Sequence, residues 1–93
     1  MKKKDHPLIN IGGTTILYKN DILGVFDLDA AATGLDTKRY LANMQSLGRV
    51  VTVGTDIPKA FVVTLKGRGE KLFVTQLSTA SLHSRWRRQS KYL

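Results

Sequence analysis

The 93-residue chain contains no cysteine. That excludes disulfides, thiolate nucleophiles and cysteine-based zinc sites, and it suits a reducing compartment, so the cytoplasm is expected. No apolar run approaches the roughly 20 residues needed to cross a bilayer. The basic start MKKKDHP leads into a short β-rich run instead of an apolar signal core. No membrane partner is therefore expected. The two histidines, His6 and His83, lie far apart, and no further ligand stands at a metal-binding spacing from either. No nucleophile with a matching base and no cofactor loop is visible, so neither an enzymatic activity nor a cofactor is expected.

Acidic residues are also scarce, 7 against 15 lysines and arginines, for a net charge of +8. Seven of the bases lie at the ends: Lys2, Lys3 and Lys4, then Arg85, Arg87, Arg88 and Lys91. Between residues 5 and 84 the remaining 8 bases nearly balance all 7 acids. A nearly neutral body with basic ends is a distribution suited to polyanions. The chain divides into a basic arm (1–7), a globular domain (8–84) and a basic tail (85–93).

The densest apolar and β-branched run is IPKAFVVTL, residues 57–65. Pro58 at its entrance and the sequence Phe61-Val62-Val63-Thr64-Leu65 fit a strand better than a helix. Apolar residues fall on both of its faces, which predicts a strand inside a sheet. One face should be covered by helix, and the other by a second layer or a neighbouring subunit.

Before this run, residues 8–11 and 14–19 form two β-rich stretches separated by Gly12-Gly13, a hairpin signature. That pair lacks the Lys-Ser/Thr and helix start of a phosphate loop, so turn chemistry accounts for it. ILGVFDL, residues 22–28, reads as a third strand, with Gly24 marking a bulge or a close approach by another backbone. Asp27 and Asp29 share one side of it if the strand continues, but no third group supports metal or acid–base work, and solvation of a strand end explains them. Residues 30–34 are small and loop-like.

Asp36 or Thr37 then caps a helix reaching Leu47, with Tyr40, Leu41, Met44 and Leu47 on one buried stripe and Gly48 ending it. This helix reads as core cover before it reads as a DNA recognition helix. A short strand over residues 49–53 leads through a turn into the central run, and residues 66–70 turn the chain into a partner strand over 71–77. Ser78 caps a final helix with Leu82 and Trp86 at i, i+4 as its apolar ridge. Arg85, Arg87 and Arg88 on that helix are either solvated or in contact with phosphate, and Trp86 is either packed or stacked on bases. The predicted order is β-β-β-α-β-β-β-α, a small α+β domain with a mostly antiparallel sheet.

Three stretches, DILGVFD (21–27), PKAFVVT (58–64) and LSTASLHSR (77–85), together with the opening strand, resemble the extracellular-matrix regulatory proteins of Gram-positive, spore-forming bacteria. The likeness is nearer to the RemB branch than to RemA and spans residues 8–85. It implies a DNA-binding transcription regulator of biofilm-matrix genes that forms a homo-oligomeric ring and carries duplex DNA on a basic outer surface. In the RemA branch, arginines before the third strand and in the turn before the central strand meet phosphate. Here those places read Lys19-Asn20-Asp21 and Gly54-Thr55-Asp56-Ile57-Pro58-Lys59, so only Lys19 and Lys59 supply charge there. The C-terminal Arg85, Arg87 and Arg88, with Lys91, become the better candidate DNA contacts. The alternatives are a ring-forming interaction module without DNA binding, acting through a protein partner or by co-assembly with a RemA-like protein, and an RNA-binding domain using Trp86.

Overall fold

The computed structural model describes residues 8–31 and 34–92, without the side chains of residues 31 and 88–92. It is an α+β domain. A hairpin of β1 (Leu8–Gly12) and β2 (Thr15–Tyr18) leads through a 3-10 turn (Lys19–Asp21) to β3 (Ile22–Asp27). Then come α1 (Leu28–Ala31), α2 (Leu35–Ser46), β4 (Val50–Val53), β5 (Ala60–Lys66), β6 (Gly69–Thr75) and α3 (Thr79–Tyr92). The basic arm over 1–7 lies outside the described residues, as do Ala32 and Thr33. The expected boundary between residues 84 and 85 falls inside α3, which continues through it.

β1 and β2 form their own antiparallel sheet, and the other four strands lie in the order β3-β5-β6-β4. β5 pairs antiparallel with β3 and β6, whereas β4 pairs parallel with β6. β5 is the double-sided strand. Ala60 and Val62 join Ile9, Ile11, Val53 and Leu82 in one buried cluster, while Phe61 and Val63 join Met44 and Leu72 in another. The hairpin and α3 thus cover one face and α2 covers the other. Each fully buried aliphatic side chain contributes about 1.5–3 kcal/mol, and this strand contributes to both clusters at once. Both of its faces are covered within one chain, so of the two expected covers the second layer, hairpin with α3, is the one present.

Several boundaries differ from the sequence reading. β5 begins at Ala60, three residues late, and Ile57 is 82% exposed. The end of β4 and the start of β5 both lie level with Thr75, on opposite sides of β6. Residues 54–59 must therefore bridge two strand spacings, about 10 Å, over the end of β6. Gly54 takes φ 85° there, and the Asp56 N–H donates to Gln76 Oε1 at 3.3 Å. α2 starts at Leu35 behind Gly34 with no side-chain cap. Its stripe holds at Met44, with Tyr40 and Leu41 half-buried, but Leu47 at the C-cap is 57% exposed, because the chain leaves the helix through Gly48 at φ 70°. Where a loop was expected, Asp27 Oδ1 accepts the Ala30 N–H at 3.0 Å and caps the short α1. The bulge expected at Gly24 is present: Leu23 is an extra residue between Ile22 and Gly24 in the pairing with β5. The close neighbour is a side chain and not a backbone, since a Cβ on Gly24 would stand 2.7 Å from the Phe26 ring.

Beneath α2, the Tyr40 hydroxyl is buried with no hydrogen-bond partner. Burial, and then the nearby Glu70 carboxylate, push its phenol above the ordinary value; the carboxylate lies outside hydrogen-bonding geometry. Tyr40→Phe should therefore leave stability at neutral pH unchanged or raise it by up to about 1 kcal/mol, since an unsatisfied group is removed. The unfolded chain releases the phenol proton first, so the wild type keeps its full stability below pH about 10 and loses some as the pH rises further. The variant should lose less. Urea denaturation of both proteins at neutral and alkaline pH measures this, and a clear loss on Tyr40→Phe at neutral pH would show that the hydroxyl is satisfied.

Candidate nucleic-acid interface

α3 opens on Ser78, whose Oγ accepts the Ser81 N–H at 3.1 Å. One turn later Leu82, 2% exposed, enters the core beside Ile9 and Ile11. The helix carries Arg85, Arg87, Arg88 and Lys91 and no acid. A helix pinned by one apolar residue and carrying this much like charge needs further attachment, and two long polar contacts supply it.

The first is Arg85, half-buried, whose Nη1 donates to Asn10 Oδ1 at 2.8 Å. Asn10 is the organiser of the β1–β2 turn. Its Oδ1 also accepts the Gly12 N–H at 2.8 Å, and its Nδ2 donates to Gly13 O at 3.0 Å. Gly12 and Gly13 take φ 134° and 52°, which the tight reversal requires. Arg85 thus ties α3 to the hairpin, leaving the rest of its five-donor fork for other partners.

The second is Lys19, where the structure departs furthest from expectation. It is 8% exposed, donates from Nζ to Trp86 O at 2.8 Å, and sits 5.1 Å from the centre of the Trp86 ring. Its charge is spent on a helix carbonyl and an aromatic face, so as a phosphate contact Lys19 is corrected to a structural anchor. Trp86 itself is 38% exposed, neither fully packed beside Leu82 nor open on both faces.

Arg87 is exposed on α3. Arg88 and Lys91 lie on the same helix, with side chains outside the described residues. Lys59 is exposed, but its backbone is held twice: its N–H donates to Thr75 O, and its carbonyl accepts the Leu28 N–H, both at 2.9 Å. Its neighbourhood includes Leu77, next to the start of α3. Arg87 lies nine residues beyond Ser78, about 13 Å further along the axis. Lys59 and the arginines therefore stand near opposite parts of one helix.

Sequence reasoning missed Asn10 and the attachment of Lys19. A polar residue just before Gly-Gly is a hint of turn closure, but hydrogen bonds spanning 75 and 67 residues leave no local signal. Among the described residues no group of three or more His, Asp or Glu side chains is placed to hold a metal ion, and no helix is long and apolar enough to cross a membrane. Compared with protein-family models and with characterised proteins, the chain gives no match.

The Arg85–Asn10 hydrogen bond can be tested by a double-mutant cycle on stability. Asn10→Ala should cost about 2 kcal/mol for its set of hydrogen bonds, and its coupling to Arg85→Ala should be about 1 kcal/mol. Zero coupling in chemical denaturation would mean that Arg85 points to solution.

Proposed function

We propose that this protein is an oligomeric, DNA-binding transcription regulator of the extracellular-matrix regulatory type, binding duplex DNA through phosphate contacts from α3. The observation that carries the reading is the helix itself: four cations and no acid on an element docked to the body through Leu82, Arg85 and Trp86. Phosphate contacts of this kind give affinity with little sequence information. The likeness of residues 21–27, 58–64 and 77–85 to the RemB branch supports the same reading and suggests a cytoplasmic protein controlling biofilm-matrix genes. Arg87, Arg88 and Lys91 are the principal phosphate ligands, with Arg85 contributing its remaining donors and Lys59 a secondary charge near the start of the helix.

One observation favours a second reading, an assembly module without DNA binding. Lys19 and Arg85, both candidate cations, are engaged inside the fold.

Removing the chain beyond residue 84 would also delete the partners of Lys19 and Asn10, so neutralising charges in place is the cleaner test. Duplex affinity of the full chain should fall linearly in log K against log salt. In the triple variant Arg87→Ala, Arg88→Ala, Lys91→Ala the slope should shrink by about 0.9 for each phosphate that is no longer neutralised. Fluorescence anisotropy across a salt series measures both. Binding that is absent at low salt, or flat across the series, contradicts the proposal and leaves the assembly module; preference for single strands with a large drop in affinity on Trp86→Ala would favour RNA.

A further inference from the structure

The four-stranded sheet has two open edges: among the described residues no strand lies beyond β3 on one side or beyond β4 on the other. An open edge presents unpaired backbone N–H and C=O groups and is a template for another strand unless charge, proline or brevity blunts it. β3 has six residues, no proline and a single charge, Asp27, at its end. Its bulge turns Leu23 outward to 60% exposure, near Phe26 at 45%. Two grooves of about 340 and 360 Å³ run along the strand and share Leu23 as a wall. One reaches Trp86 beneath α3, and the other reaches Phe61 and Tyr40 beneath α2.

Charge indicates what fits this edge. Residues 21–37 carry Asp21, Asp27, Asp29 and Asp36 and no Lys, Arg or His, so the rest of the chain holds the other three acids against all 15 bases. Two β3 edges meeting about a two-fold axis would set like charge against like. The β4 edge is complementary. Exposed Arg49 stands immediately before it; the exposed Lys71 and the half-buried Glu70 share its groove from the inner strand β6. β3 and β4 both run in the direction of β6, so they can lie side by side as parallel strands, with Asp21 and Arg49, the residues preceding each, at the same end. Leu47, exposed at the end of α2, stands on the sheet face that α2 covers, the face of the groove lined by Phe61 and Tyr40.

We infer that the β3 edge of one copy receives the β4 edge of a second copy, continuing the sheet head to tail, with Asp21 facing Arg49 and Leu47 entering the groove beside Phe26. The contact is heterologous, so it forms a ring where the rotation closes. It rests on the self-association in the proposed function and not on DNA binding.

Light scattering after size exclusion tests it on the full chain, which should run at several times 10.3 kDa. Asp21→Arg and Arg49→Asp should each reduce that mass several-fold, because each makes the interface like-charged. An equimolar mixture of the two variants should restore it, since each then meets its complement at both edges. Circular dichroism checks that the variants fold. Should they not fold, Leu47→Glu, at an exposed position, decides the matter by lowering the mass or keeping it. A monomeric wild type, single variants of wild-type mass, an unrestored mixture or an unaffected Leu47→Glu each overturn the inference. Duplex binding is read on the same samples, and its absence from an intact assembly counts against the proposed function alone.

Discussion

A strand that is apolar on both faces must be covered twice, and the rest of this domain follows from that requirement. Val62 is fully buried toward the hairpin and α3, while Phe61, one residue earlier, is buried toward α2. The alternation of a strand sends neighbouring side chains to opposite layers, so each layer depends on the same backbone. α2 meets its side with ordinary apolar packing. The other side is covered by a two-stranded hairpin, which is marginal alone and gains its stability by docking.

That docking is partly polar. Thr75, fully buried on β6, donates to Ile11 O at 2.6 Å and accepts the Leu77 N–H at 3.2 Å. A Cβ on Gly12 would stand 3.0 Å from Thr75 Oγ1, so the glycine allows the hairpin to approach as well as to turn. Asn10–Arg85 and Lys19–Trp86 then join both ends of the hairpin to α3. Hairpin and helix form one layer, and two cations that composition alone would assign to a polyanion instead hold that layer together.

Local chemistry was legible in the sequence. Gly12-Gly13 gave the reversal, Gly48 the end of α2, Ser78 the start of α3, and the run around Phe61-Val62-Val63 the double-sided strand. What stayed hidden was long-range pairing. β4 leads into β5 in sequence, yet β6 lies between them in the sheet, and that crossing carries Ile57 and Pro58 out of the strand. Leu47 has the helical spacing of a core residue, but the position where the helix breaks leaves it exposed. Of the candidate site, the basic helix was visible in composition; the burial of Lys19 was not, because a lysine is counted as surface charge unless its distant aromatic partner is known.

Asp21 and Asp27 stand at the two ends of β3, whereas α3 carries Arg85, Arg87, Arg88 and Lys91 and no acid. In the proposed reading this division separates the surface between copies from the surface toward DNA. Both surfaces depend on β5 and its two covers, and native-state hydrogen exchange measures that dependence residue by residue. The amides of Phe61, Val62 and Val63 should exchange only through global unfolding, while β1 and the first half of α3 should open together, as one unit, at a lower free energy. An α3 that opens independently of β1, or a β5 that exchanges faster than the hairpin, would show that the two covers do not rest on the central strand in this way.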